Sequence, residues 1–189
     1  MSSPSSSSPR EILARSTLFT GPVWRVESMT VRTKGGSTAD RYIVRHPGAV
    51  VIVPIMDDGR LVLIRNHRMS VGLRLWEFCA GTLESGEDPA ACAARELREE
   101  TGFRAAAWRF LGRFYTTPGV TDQQMHVFLA RDLEFVGQSL MEDEDIQTDV
   151  KTVGEVWSMI DQGELIDAKS IVALVMYQRA AQVPSDLPR

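Results

Sequence analysis

The stretch GTLESGEDPAACAARELREETGF, residues 81–103, carries the strongest structural and chemical signals in the chain. Asp88 is a suitable N-cap, Pro89 fits the first position of a helix, and Gly102 suits the residue just after a helix ends. These signals predict a helix over Pro89–Thr101. Five residues of the stretch are glutamates, so negative charge is concentrated on and beside one short helix.

Three of these glutamates share one side of the predicted helix. Residues four apart lie on the same face, so Glu96 and Glu100 stack with Glu99 beside them. Like charges at this spacing repel unless cations lie between them, and Mg²⁺ or Mn²⁺ commonly bridges carboxylates to phosphates. Gly81 and Gly86 in the preceding loop let the backbone approach a ligand closely. The pattern indicates metal-assisted attack on a phosphate; a solvated helix with surface ion pairs is the alternative.

The spacing of the stretch matches a known family motif. From Gly81, five residues precede Glu87, and seven more precede RELREETGF, residues 95–103. This arrangement resembles the Nudix hydrolase box at every defined position, and the chain is identified as a member of that family. The resemblance implies an α/β fold, the Nudix α/β/α sandwich with a mixed sheet. It also implies hydrolysis of a nucleoside diphosphate linked to another moiety.

The resemblance further implies a metal site and a structural ion pair. In similar Nudix enzymes the metal is Mg²⁺, with Mn²⁺ as an alternative, and it activates water and offsets phosphate charge. Arg95 and Glu87 match positions that hold the loop to the helix. Glu99 matches a position that serves either metal binding or catalysis. The implied metal ligands are Glu96, Glu99, Glu100 and the carbonyl of Ala80.

Features outside the box point to one branch of the family. Pro118, in the loop TTPGVTD, stands sixteen residues after Gly102. A proline at this offset is typical of ADP-ribose pyrophosphatases, although Pro-Gly is also an ordinary turn. The segments RLVLIRNHR, LWEFCAG, MEDEDI and GELIDAKSIVAL resemble, in the same order, segments of bacterial ADP-ribose and nucleoside-diphosphate-sugar pyrophosphatases. This second resemblance covers residues 48–174.

The longer resemblance implies roles for several further residues. The acidic loop would supply Glu142 or Glu144 as general base or additional metal ligand, because a carboxylate on a loop can activate water once substrate is bound. Arg68 matches a position that contacts phosphate, and arginine suits that task because its planar fork donates two hydrogen bonds. Arg41 matches an arginine that reaches the site from a partner subunit. An aromatic residue, Trp24 or Phe19, would stack on the base.

Some positions depart from the ADP-ribose pattern. Gln123 stands where the second member of an acidic pair is usual, and Tyr42 replaces a common glutamate. Cys79, in place of the usual proline, resembles some GDP-mannose hydrolases. The leading interpretation is Mg²⁺-dependent hydrolysis of ADP-ribose to AMP and ribose 5-phosphate. A hydrolase of another nucleoside diphosphate sugar, such as GDP-mannose, is the alternative, and a non-catalytic nucleotide sensor is a third.

Composition and spacing predict the organisation of the chain. Its 189 residues, 43% hydrophobic with a net charge of −4, suit one globular domain without a basic field for nucleic acid. Two cysteines and no apolar span predict a soluble, cytoplasmic protein. The resemblance implies a homodimer that exchanges N-terminal strands. The predicted segments are a disordered tail (1–10), an N-terminal β-hairpin region for dimerisation and substrate binding (11–47), the Nudix domain (48–182) and a C-terminal tail (183–189).

Local signals predict the individual elements. Gly35 and Gly36 mark the turn of the N-terminal hairpin, and Asp57-Asp58-Gly59 marks a second hairpin between GAVVIVPIM and RLVLIRNHR. LRLWEFCAG is predicted as one short strand, and two further strands flank the Pro-Gly loop. Residues 140–146 are predicted as loop. Helical spacing after them predicts two closing helices.

Overall fold

The computed structural model describes residues 11–141 and 145–182. The described residues divide into two compact units. One contains residues 11–47 and Thr117–Gln123, and the other contains Gly48–Thr116 and the rest of the described chain. The elements are β1 (Ile12–Thr20), β2 (Arg25–Arg32), β3 (Thr38–Arg45), β4 (Ala49–Pro54), β5 (Leu61–Arg68), β6 (Leu73–Glu77), β7 (Ala80–Thr82), α1 (Pro89–Thr101), β8 (Phe103–Tyr115), β9 (Gln124–Phe135), β10 (Ile146–Lys151), α2 (Val153–Asp161) and α3 (Ala168–Gln182).

The N-terminal unit is an antiparallel sheet in the order β1-β2-β3. The predicted hairpin is confirmed as β2 and β3, with a turn in which the Thr33 amide donates to the Ser37 carbonyl at 2.8 Å. Gly36 has a φ of 84°, a conformation that glycine adopts without steric cost. Strand β1 adds to this hairpin on the β2 edge, and every one of its residues is exposed.

The larger unit contains a four-stranded sheet in the order β7-β4-β9-β8 and a three-stranded sheet in the order β10-β5-β6. Strands β4 and β9 are parallel, whereas the other pairs are antiparallel, so the predicted mixed sheet is confirmed. All six residues of β4 are buried because helices cover both of its faces.

Side chains of β4 alternate between two apolar clusters. Val51 and Val53 join a cluster that includes Val156 of α2 and Leu174 of α3. On the other side, the alternate residues of β4 join a cluster that includes Cys92, Ala93 and Leu97 of α1. This arrangement follows from the two-residue period of a strand. Helix α1 therefore lies on one side of the sheet and α2 and α3 lie on the other, which confirms the α/β/α sandwich.

Helix α1 begins and ends where the sequence predicts. The Asp88 carboxylate accepts hydrogen bonds from the Ala90 and Ala91 amides, at 2.9 and 3.3 Å. Gly102 closes the helix in the left-handed conformation, with a φ of 75°, and its amide donates to the Arg98 carbonyl.

Among the described residues, no helix is long and apolar enough to cross a membrane.

Three local predictions differ from the structure. The Asp57–Gly59 turn is present, but the strands beside it share a single bridge, Ile55 to Leu61, and then enter different sheets. LRLWEFCAG forms two strands, β6 and β7, which belong to different sheets, and between them the Phe78 amide donates to the Ser170 hydroxyl. Strand β10, which the sequence analysis did not predict, begins inside the predicted acidic loop at Ile146 and pairs with β5.

Candidate active site

Two buried carboxylates of α1 lie against the backbone of β7. Glu100 accepts a hydrogen bond from the Ala80 amide at 2.9 Å, and it is only 4% exposed. Glu96 lies so close to Gly81 that a Cβ atom at that position would be 1.8 Å from its carboxyl carbon. Only glycine leaves room for this approach. Gly81, the first residue of the family motif, and Ala80 before it therefore lie against two glutamates near the end of the motif, Glu96 and Glu100.

Arg95 joins the loop and the helix beside these carboxylates. Its Nε and Nη2 donate to the two Glu87 oxygens, each at 3.0 Å. Its Nη1 donates to Glu96 at 2.7 Å and to Glu99 at 3.2 Å. The hydrogen bonds from Arg95 lower the pKa of Glu87 to about 2, against its ordinary value of 4.5. The contact between Arg95 and Glu87 that the family resemblance implies is thus present.

This cluster has more negative than positive charge. Arg95 contacts Glu87, Glu96 and Glu99, and Glu100 lies alongside on the next helical turn. Carboxylate and carbonyl oxygens are the donors that Mg²⁺ and Mn²⁺ prefer, so the residues fit such an ion chemically. Within the described ranges, no group of three or more His, Cys, Asp or Glu side chains is arranged to hold a metal ion.

The acidic-loop candidates, Glu142 and Glu144, lie outside the described residues. The flanking Asp145 is described, and Arg74 of β6 pairs with its carboxylate. Hydrogen bonding to Arg74 lowers the pKa of Asp145.

A second charged cluster surrounds Glu77 at the end of β6. Arg68 donates to both oxygens of Glu77, from Nε at 2.8 Å and from Nη2 at 2.6 Å. Lys169, in the first turn of α3, also donates to Glu77 and pairs with Asp167 at 2.9 Å. Glu77 has no exposed surface, whereas the Arg68 side chain is 38% exposed. Arg68 thus binds a fully buried carboxylate, while part of its own side chain is exposed to solvent.

Two members of this second cluster, Glu77 and Lys169, were not singled out from the sequence. They are 92 residues apart, so no local pattern relates them. One signal in the sequence could have identified them as candidate site residues. Glu77 lies in LWEFCAG and Lys169 in GELIDAKSIVAL, and both segments, like the one that contains Arg68, are part of the longer resemblance. Ser170 completes the cluster, because its hydroxyl donates to Asp167 at 2.5 Å and accepts from the Phe78 amide at 2.8 Å.

The N-terminal unit contains the remaining predicted site residues. The rings of Trp24 and Phe19 are 5.5 Å apart between centroids, and both side chains are exposed. Trp24 lines a cavity of about 270 Å³ together with Arg25, Arg45, His46 and Asp122, among others. Arg41 is exposed on β3 and donates to the Asp40 carbonyl at 2.8 Å. Pro118 is exposed in a turn of the Thr117–Gln123 segment.

Asp122 holds the Thr117–Gln123 segment on β3. Its carboxylate accepts from the His46 amide and from Arg45, each at 2.9 Å. Arg45 in turn donates to Glu27 on β2 at 2.8 Å. Burial acts to raise the pKa of Asp122, but the hydrogen bonds from His46 and Arg45 outweigh it and lower that pKa. The loop that carries Pro118 is therefore anchored within the N-terminal unit.

Both cysteines are free and buried. Cys92 lies beside Arg95, with its Sγ 3.4 Å from Nη2. Burial raises the pKa of Cys92 to about 12 and raises that of Cys79 well above its ordinary value.

Comparison with known proteins agrees with this geometry. Residues 44–172 match the family described as the NUDIX domain. An ADP-ribose pyrophosphatase of Bacillus subtilis is 34% identical over 88% of this chain and 91% of its own length. One from Mycobacterium tuberculosis is 35% identical over 87% and 81%. The chain therefore belongs to the Nudix family, in the branch of ADP-ribose and nucleoside-diphosphate-sugar pyrophosphatases.

A solved structure and a further relative define this branch more closely. The crystal structure of an ADP compounds hydrolase superimposes with a TM-score of 0.81 at 25% identity, covering 92% of this chain and 94% of that one. A GDP-mannose pyrophosphatase of Citrobacter koseri is 31% identical over 69% of this chain and 72% of its own. Each of the two substrates considered in the sequence analysis thus appears in the name of a related protein.

Proposed function

We propose that the protein hydrolyses the diphosphate of ADP-ribose to AMP and ribose 5-phosphate in the presence of Mg²⁺. The observation that carries this proposal is the pair of buried carboxylates, Glu96 and Glu100, held against the Ala80–Gly81 backbone. Such an oxygen-rich site beside a glycine suits a divalent ion that also contacts phosphate. The two relatives named ADP-ribose pyrophosphatase support this choice of substrate.

Each predicted residue has a role in this proposal. Glu96, Glu99, Glu100 and the Ala80 carbonyl would hold the metal, which would supply activation of water and compensation of the diphosphate charge. Glu142 or Glu144 takes the proton from the attacking water, and Glu99 assists as a catalytic carboxylate. Arg68 donates to the diphosphate, and Arg41 of a partner subunit does the same. Trp24 or Phe19 would stack on the base, and Pro118 would belong to a substrate-binding loop.

GDP-mannose is the second candidate substrate. Cys79 occupies the position where a proline is more common, and its side chain is buried beneath β4, with Sγ 3.9 Å from the Ile52 carbonyl. The related GDP-mannose pyrophosphatase supports the same alternative. Both reactions would use the same carboxylates and differ in the residues that contact base and sugar.

A direct substrate comparison tests the proposed function. Purified protein with Mg²⁺ is incubated with ADP-ribose, GDP-mannose, ADP-glucose and UDP-glucose, and the products are separated by chromatography. We expect the highest kcat/KM for ADP-ribose, with AMP as product. A higher value for GDP-mannose would favour the second candidate. Nucleotide binding without turnover of any compound would overturn both and support a sensor.

We also propose that the protein is a homodimer formed through the N-terminal sheet. Apolar side chains of β1 are exposed, including Leu18 at 57% and Phe19 at 52%. An exposed strand of this kind is a common site of association between chains. Light scattering should give twice the chain mass of 21.0 kDa, and Leu18→Lys should shift the protein towards the monomer. A monomeric wild type would also remove the proposed role of Arg41.

The protein is proposed to act in the cytoplasm. Two free cysteines suit a reducing compartment. Cell fractionation followed by immunodetection tests this location, and recovery of the protein in an oxidising compartment would contradict it.

A further inference from the structure

We propose that Glu77 and Lys169 are positioning residues for Arg68: Glu77 fixes the guanidinium, and Lys169 balances the charge of Glu77 so that Arg68 can still attract a diphosphate. This inference rests on the proposed function, in which Arg68 donates to the diphosphate. It concerns residues that lie behind Arg68 and contact no substrate.

The hydrogen bonds of Arg68 leave one nitrogen for a ligand. Nε and Nη2 donate to the two oxygens of Glu77, which removes the freedom of the guanidinium to rotate. No other residue of the described chain accepts a hydrogen bond from Nη1. Glu77 is completely buried, so the plane of the guanidinium is set by the protein interior. A fixed donor loses less conformational entropy when an anion binds.

A buried glutamate alone would work against anion binding. Arg68 and Glu77 together are neutral, and Asp167 adds a further negative charge to the cluster. Without Lys169, the three side chains would sum to −1 and would repel a diphosphate. Lys169 contacts both carboxylates and brings the sum of the four charges to zero. The arginine can then present its charge to a ligand on its exposed side.

The cluster lies within electrostatic reach of the metal-site carboxylates. The hydrogen bonds to Glu77 raise the pKa of Arg68 against the effect of burial, and the charge of Glu100 adds to this rise. Glu77 stays ionised although it is buried, because Arg68 and Lys169 lower its pKa. The Glu100 carboxylate therefore lies close enough to Arg68 to stabilise its positive charge.

The three residues also come from three of the four segments that carry the resemblance to the pyrophosphatase branch. Arg68 ends RLVLIRNHR, Glu77 lies in LWEFCAG, and Lys169 lies in GELIDAKSIVAL. The fold brings these separate segments to one ion cluster through β5, β6 and α3.

Lys169→Met tests this inference, because it removes the charge while keeping a long side chain. We expect KM for ADP-ribose to rise about tenfold with kcat changed less than about twofold. Binding of inorganic diphosphate, measured by calorimetry, should weaken by a similar factor. Lys169→Arg should restore both. Lys151→Met is the matched control, because Lys151 pairs with Asp149 and lies over the ring of Trp76, and it forms no ion pair with the four residues of the cluster. This variant should leave diphosphate binding unchanged.

Glu77→Gln is the second variant, because the amide keeps the shape of the side chain but weakens both ion pairs. A merely structural role would lower the melting temperature of these variants while KM and diphosphate binding stayed at wild-type values, and that result would overturn the inference. Failure of the proposed function is distinguishable. A second result is that the wild type hydrolyses no nucleotide while the Lys169→Met variant still binds diphosphate less tightly than the wild type does. That result would refute the proposed substrate and leave the positioning role intact.

Discussion

The two charged clusters of the larger unit differ in their balance of cations and anions. At helix α1, Arg95 is shared by Glu87, Glu96 and Glu99, so carboxylates are in excess. At the end of β6, Arg68 and Lys169 balance Glu77 and Asp167, so the cluster is neutral and Arg68 remains partly exposed. An enzyme that acts on a metal-bound diphosphate needs both kinds of site, one for the cation and one for the anion.

Burial differs between the clusters as well. The shared anion Glu77 has no exposed surface, whereas the shared cation Arg95 is 27% exposed. Breaking a buried ion pair leaves an uncompensated charge and costs more than breaking an exposed one. The proportion of charges determines what a cluster can bind, whereas burial determines how firmly its residues are held.

The largest effect is expected from Glu100→Gln, which weakens the anionic cluster. Loss of a metal-binding carboxylate should lower kcat/KM for ADP-ribose with Mg²⁺ by about a thousandfold. The fold should persist, because an amide oxygen can still accept from the Ala80 amide. Steady-state kinetics and circular dichroism measure the two effects. Glu134→Gln is the control, since Glu134 is an exposed partner of Arg104, and equal losses in both variants would contradict the assignment.

Gly81→Ala breaks the same cluster without removing a charge. The new methyl group would meet the Glu96 carboxylate, so that side chain must move. A displacement of about 1 Å should lower kcat/KM about a hundredfold. Gly154→Ala is the matched control, because nothing lies within 4 Å of the added atom and the residue is in helix α2. Normal turnover by Gly81→Ala would show that Glu96 has no fixed catalytic position.

Arg95→Gln removes the cation that joins Glu87 to the helix. We expect a loss of about 1–2 kcal/mol in the free energy of unfolding at pH 7. Because the folded-state pKa of Glu87, about 2, is below its ordinary value of 4.5, its stabilisation is complete above pH 4.5 and is lost as the pH falls through about 2. The wild type should therefore lose stability more steeply than the variant over this range. Urea unfolding at several pH values measures this, and parallel curves would refute it.

The smallest effect is expected from Arg98→Gln, which changes an exposed arginine of the same helix. Arg98 belongs to the same motif, but its side chain is 55% exposed and is 3.6 Å from Glu99. The free energy of unfolding should change by less than about 0.5 kcal/mol. The kcat/KM value should stay within about twofold of wild type. A loss comparable to that of Arg95→Gln would indicate that net charge matters more than the Arg95 contacts.

The sequence predicted those features that depend on neighbouring residues. Helix α1 has its predicted bounds because Asp88, Pro89 and Gly102 act locally on the backbone. Strands β4 and β9 could be recognised from their apolar runs. Strand β10 was missed because only Ile146 is buried among its six residues, and its strand conformation depends on pairing with β5.

Features that depend on distant contacts could not be predicted in this way. The Asp57–Gly59 turn was recognised, but the sheet that each flanking strand joins depends on partners far along the chain. The ion pair of Glu77 with Lys169 spans 92 residues, and neither residue has a local pattern. The spacing of Glu96, Glu99 and Glu100 and the family resemblance predicted a metal site near Ala80. The hydrogen bond from the Ala80 amide to Glu100 and the close approach of Glu96 to Gly81 came only from the structure.

The burial of both native thiols makes the protein suitable for site-selective labelling. Thiolates are the species that react with maleimides, and a thiol with a pKa of about 12, such as that of Cys92, is almost entirely protonated at neutral pH. Cys79 is buried to the same degree. A cysteine introduced at Met69, which is 87% exposed and adjacent to Arg68, would therefore take up a fluorophore selectively in the wild-type background. Its emission would provide an optical signal of ligand arrival at this arginine.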